Sequence, residues 1–103
     1  QHRNTLPCDT DKCDTAPSLI RAIAPTYPSE ALWEGRSGVA IVIFDIEATG
    51  ETSNVRLESA SHLDFGESAV DAVKEWHFSP AMLDGKNVKY GAARQPINFS
   101  NEP

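Results

Sequence analysis

The sequence predicts a small α+β domain whose elements run helix, strand, strand, helix, strand behind an irregular N-terminal arm. Three observations carry that expectation. Val39 to Ile46 is a β-branched run that opens after Gly38 and ends at the turn signal Ala48-Thr49-Gly50. Thr52 to Ser59 then alternates apolar and polar residues, and Phe65 to Trp76 repeats its apolar residues at helical spacing. At 103 residues the chain can bury one compact core and not two.

Each element has its own signal. Residues 1–26 carry Pro7, Pro17 and Pro25 among scattered polar residues, with Leu19, Ile20 and Ile23 as the only apolar patch, and read as irregular. Pro28 to Glu34 reads as a short helix, with Pro in the first turn and Gly35 where a helix stops. The strand after Gly38 is apolar on both faces: Ala40, Val42, Phe44 and Ile46 on one, Val39, Ile41 and Ile43 with Asp45 on the other. A central strand covered on both sides is expected. Thr52 to Ser59 places Val55 and Leu57 on one side and Asn54, Arg56 and Glu58 on the other, as a half-exposed hairpin partner would. Asp64 and Glu67 form a capping-box variant, so a helix should start there and carry Phe65, Ala69, Ala72, Val73 and Trp76 on one stripe, with Pro80 stopping anything further. After the turn at Asp84-Gly85, Asn87 to Phe99 holds the last strand, bent at Gly91, with Ile97 and Phe99 inward.

Composition narrows the function. Nine Lys and Arg against fifteen Asp and Glu give a net charge of −6, and no two basic residues adjoin, so the footprint that nucleic acid requires is missing. The charge is concentrated in residues 45–75, where Asp45, Glu47, Glu51, Glu58, Asp64, Glu67, Asp71 and Glu75 face only Arg56 and Lys74. The longest apolar run, Val39 to Phe44, is far short of the roughly 20 residues that span a bilayer. Gln1-His2-Arg3 opens without a signal core, as in a mature form or a piece of a longer chain. Cys8 and Cys13 could ligate zinc only with further ligands, and only His2 is near. The preferred reading is a disulfide closing that loop, contributing roughly 2 kcal/mol and implying an oxidising compartment.

Catalytic raw material is thin, and the reading is that the chain is not an enzyme and needs no cofactor or metal. His2, His62 and His77 stand in no ligating or triad spacing, and Glu47 and Glu51 flank a surface turn with no burial to split their pKa values. Gly35-Arg36-Ser37-Gly38 lacks the Lys-Ser/Thr ending of a phosphate loop, and Asp9-Thr10-Asp11 lacks the downstream Gly and Glu of a calcium loop. What the sequence specifies well is a small sheet with an edge, which suits a binding module.

An ordered set of residues from about 24 to 100 resembles the TonB C-terminal domain family: Tyr27-Pro28, Gly35, Gly38, Phe44-Asp45-Ile46, Gly50, Asn54-Val55, Phe65, Trp76-His77-Phe78-Ser79-Pro80-Ala81, Asp84-Gly85 and Pro96-Ile97-Asn98-Phe99. The resemblance implies a periplasmic domain, anchored to the inner membrane if the chain is a fragment. Its fold would be a three-stranded antiparallel sheet packed by two helices, spanning 24–103 after an arm at 1–23. It implies that the last strand grips the TonB box of an outer-membrane transporter by β-strand addition, in a transducer driven by a proton-powered inner-membrane complex. Carried over by position, the contacts would be Ala92, Ala93, Arg94, Gln95, Pro96, Ile97, Asn98 and Phe99, flanked by Ala24, Pro25, Thr26 and Tyr27. Two departures stand out: the best-known transducers carry a Gln where this chain has Ala24, and Pro96 removes one ladder donor. The missing Gln, the acidic charge and the cysteine arm motivate an alternative, a TonB-like interaction domain not coupled to transport, free in the periplasm or appended to a membrane sensor or peptidase. The second apolar face of Val39, Ile41 and Ile43 is expected to be covered by the arm or by a second protomer in a homodimer.

Overall fold

A computed structural model describes residues 14–100. In chain order the elements are β1 (Ser18–Arg21), α1 (Ser29–Glu34), β2 (Gly38–Ile46), β3 (Thr52–Ala60), α2 (Leu63–Val73), β4 (His77–Ser79), β5 (Ala81–Leu83), β6 (Lys86–Val88) and β7 (Tyr90–Phe99). The main sheet is antiparallel in the order β3-β2-β7, and β1-β4 and β5-β6 form two small ladders beside it. The α+β architecture expected from the sequence is present, with four short strands added.

The core lies between one face of the main sheet and the helices. Ala40, Val42, Phe44 and Ile46 of β2 are buried, and α2 delivers Phe65, Ala69 and Val73 against them. Ile97 and Phe99 of β7 close the same layer. Phe65 stacks on Phe99 at 4.6 Å between ring centroids. Tyr27 meets the two rings edge-on at 5.7 and 5.8 Å, and its hydroxyl donates to the Arg36 carbonyl. Offset and edge-to-face contacts of this kind add to the area the rings bury.

Local chemistry sets the ends of the elements. Pro28 stands just before α1 with φ −60°, so the helix begins one residue later than expected, and Gly35 closes it at φ 70°, ψ 24°. Gly50 is required by both conformation and space: its φ is +94°, and a Cβ there would lie 2.1 Å from the Phe78 carbonyl oxygen. That contact lets the Phe78 N–H donate to the Gly50 carbonyl at 2.8 Å, which ties the β2–β3 turn to β4.

The structure corrects several expectations. Ser18–Arg21, read as part of an irregular arm, is a strand, because Leu19 and its neighbours find a ladder partner in His77–Ser79. Asp64 does not cap α2. His62 occupies the N-cap without a side-chain bond, and the Asp64 carboxylate instead takes two bonds from Arg36, at 3.0 and 3.4 Å, since a guanidinium is the stronger partner. Trp76 lies beyond α2, which ends at Val73; it is buried nonetheless, and its indole N–H donates to the Ile23 carbonyl at 2.9 Å. The bend in β7 falls at Ala92, with φ +59°, rather than at Gly91. Among the described residues the second face of β2 carries no covering layer: Val39 is 36% exposed, Ile41 and Ile43 are half-buried, and the described part of the arm pairs with β4 and Met82 instead. The Cys8–Cys13 pairing lies outside the described residues.

A candidate strand-binding edge

β7 pairs with β2 along one side only, and its other side bonds to no strand among the described residues. The register runs without a break from Gly38↔Phe99 to Phe44↔Ala93 and shifts only beyond, where β7 carries one extra residue. Ala92 sits in that bulge in a left-handed conformation, and its N–H donates to Asp45 Oδ1 at 2.9 Å. Lys89 approaches the same carboxylate at 3.7 Å and Glu47 at 3.4 Å. Glu47 is held below the usual carboxylate range, first by the Ser53 hydroxyl and then by Lys89. Asp45, the one acid in an apolar run, thus fixes where the regular part of the edge begins.

The direction of each backbone group follows from β2. The Val39 carbonyl accepts from the Ser61 N–H at 2.9 Å, and the Glu47 N–H donates to Glu51 at 2.8 Å, so the odd residues of β2 bond toward β3. Its even residues therefore bond toward β7, where they meet Ala93, Gln95, Ile97 and Phe99. Arg94, Pro96 and Asn98 are left with their backbone groups turned outward. Their side chains lie on the open, exposed face of the sheet, whereas Ala93, Gln95, Ile97 and Phe99 face the helices.

Not every residue predicted for the site is free to touch a partner through its side chain. Phe99 and Ile97 are core. Arg94 forms a two-pronged ion pair with Glu58 of β3, at 3.0 and 3.1 Å. The pair spans β2 on the face that carries Ile41 and Ile43. Arg94 holds the Glu58 carboxyl below its ordinary range, and Glu58 raises the guanidinium in turn. Gln95 folds back, its amide donating to the Pro96 carbonyl at 2.9 Å. Asp45 and Glu58 shape the edge, yet the sequence reading did not single them out for it; the signal available was an acid placed within or opposite an apolar strand.

The flanking segment divides in two. Tyr27 reaches Phe99 and so stands at the end of β7. Ala24, Pro25 and Thr26 run along α2 instead, held there by Trp76 on Ile23 and by the Ser68 hydroxyl on the Thr26 carbonyl. Between this segment and α2 lies a groove of about 390 Å³, lined on the helix side by Asp64, Glu67, Asp71 and Glu75. Arg36 beside Asp64 holds that carboxyl below its ordinary value. Among the described residues, no group of three His, Cys, Asp or Glu side chains could hold a metal ion, and no helix is long and apolar enough to cross a membrane.

Comparison with known proteins places this geometry. Residues 23–100 match the family described as Gram-negative bacterial TonB protein C-terminal. The chain is 35% identical over 77 residues to Protein TonB of Xanthomonas campestris pv. campestris strain B100, a match covering 74% of this chain and 34% of that protein. It is 34% identical over 88 residues to Protein TonB of Vibrio cholerae, covering 84% and 36%. The chain thus spans about a third of the length of these relatives. In fold it is similar to the solution NMR structure of the Pseudomonas aeruginosa TonB C-terminal domain, with a TM-score of 0.69 and 24% identity over 87% of this chain and 91% of that one. The chain belongs to the TonB protein C-terminal family.

Proposed function

We propose that this domain works in the periplasm as the receptor-gripping end of a TonB-type energy transducer. Its outer-membrane partner is a TonB-dependent transporter, whose extended TonB-box peptide adds as a strand to β7. The pull on that peptide comes from a proton-driven inner-membrane complex, joined through sequence upstream of this domain. The observation that carries the reading is that the outer side of β7 bonds to no strand among the described residues, in a member of this family. An edge of this kind offers a row of N–H and C=O groups that an extended peptide can complete. Tyr27, at the end of β7, flanks the docking line.

The test is an NMR titration of the isotope-labelled domain with a transporter TonB-box peptide and a scrambled control. Amide shifts at residues 92–99 that only the true peptide produces are the expected result. An absence of shifts at millimolar peptide would overturn the reading in favour of a TonB-like interaction domain uncoupled from transport. Ala24, with no side-chain hydrogen bond to offer, and the acidic groove along α2 are the observations that favour that second reading.

A further inference from the structure

The outer side of β7 is not a uniform ladder. Three residues turn their backbone groups outward, and the middle one is Pro96. Pro96 has no N–H, and because its nitrogen points outward, its ring Cδ projects from the edge where a donor would stand. Its carbonyl, the remaining group at that position, already accepts from the Gln95 amide at 2.9 Å. One step further along, the Ala92 N–H is taken by Asp45. Complete donor–acceptor pairs therefore remain at Arg94 and at Asn98, on either side of a closed position.

We propose that β7 holds a partner strand at two separated points, Arg94 and Asn98, with the partner residue facing Pro96 bowed away and making no strand bond. The inference rests on the strand-addition reading and specifies the ligand that reading requires. The occupant is an extended peptide with two short bonding stretches around a residue whose own N–H is not read. Such a residue can be a proline or a bulge, whereas the residues two before and two after it cannot. The rule holds for either strand direction when it is counted by the N–H that meets each outward carbonyl: in an antiparallel pairing that N–H belongs to the residue opposite Arg94, Pro96 or Asn98, and in a parallel one to the residue after it.

An amide-to-ester scan tests this, since it replaces one ligand N–H at a time by oxygen without adding bulk. The probe is the transporter TonB-box peptide, the protein is the full 103-residue chain, and cross-strand NOEs identify the residue facing Pro96. Esters that remove the N–H aimed at the Arg94 or the Asn98 carbonyl are each expected to weaken binding about fivefold, the worth of one hydrogen bond, and the ester that removes the N–H aimed at the Pro96 carbonyl less than about twofold. In the double variant Gln95→Ala/Pro96→Ala, which frees the carbonyl, restores the donor and removes the ring, the middle ester should cost as much as its neighbours. Equal losses at all three positions in the parent protein, or an unchanged pattern in the double variant, would overturn the two-point grip while leaving strand addition standing. A peptide that binds neither protein would overturn both.

Discussion

Replacing Phe99 by Ala separates the two roles that β7 combines, core wall and exposed edge. The ring is 4% exposed, stacks on Phe65 at 4.6 Å and takes the edge of Tyr27 at 5.8 Å. Truncating a buried Phe to Ala costs about 3–5 kcal/mol, from lost burial and from the cavity left behind. A small domain holds about 5–15 kcal/mol in all, so the variant should lose between about a fifth and all of its stability. At about 4–8 °C per kcal/mol for a chain of this size, the melting temperature should fall by at least about 12 °C. Asn98→Ala is the control, one residue away on the exposed face, and should stay within about 0.5 kcal/mol of the parent. Urea denaturation followed by near-UV circular dichroism and by the fluorescence of buried Trp76 reads both variants. A Phe99→Ala midpoint corresponding to less than about 1 kcal/mol of loss would refute the placement of Phe99 in the core.

Gly50→Ala should cost more than about 2 kcal/mol, because its Cβ meets the Phe78 carbonyl at 2.1 Å, while Gly85→Ala, whose Cβ meets nothing within 4 Å, should cost about 1 kcal/mol from its positive φ alone. Comparable urea midpoints for the two would contradict this. Trp76→Phe removes the bond to the Ile23 carbonyl and should lower stability by about 1 kcal/mol, with faster hydrogen exchange at β1; unchanged exchange there would show that Trp76 does not hold the arm. Asp64 and Glu58 have lowered pKa values when folded, so the stability they supply is present above their unfolded values of about 3.9 and 4.3 and is lost as pH falls through the lower folded ones. Urea midpoints measured below about pH 5 should therefore fall less steeply for Asp64→Asn than for the parent, and parallel slopes would refute the contribution of Arg36.

The long elements were legible in the sequence because each carries its own period. β2 needs no partner to be recognised, and Ile97 and Phe99 follow from simple alternation. Strands of three residues have no such signal: His77-Phe78-Ser79 is extended because β1 and Gly50 lie beside it. Asp64 shows the same difficulty with a charge, since its partner Arg36 stands 28 residues away and outcompetes a local cap. A row of Ile and Val on the open face of β2 implies a covering layer, and among the described residues that face is crossed only by the Arg94–Glu58 pair. As for the edge, Pro96 is visible in the sequence, but which way its nitrogen points depends on the register with β2.

The two borders of the main sheet differ in a way that bears on self-association. β3 carries two extra residues relative to β2, near Glu58 and at Asn54, where φ is 51°, and it exposes Arg56 and Glu58. Bulges and charges of this kind make a border unfit for templating another chain. β7 keeps its register with β2 over residues 93–99 and is interrupted on its outer side at Pro96, so it is the better template of the two borders. Two copies meeting through their β7 borders would consume both receptive surfaces about a two-fold axis and stop at a pair. Growth into a fibre would need β3 as well, so the domain can keep a sticky strand exposed without polymerising.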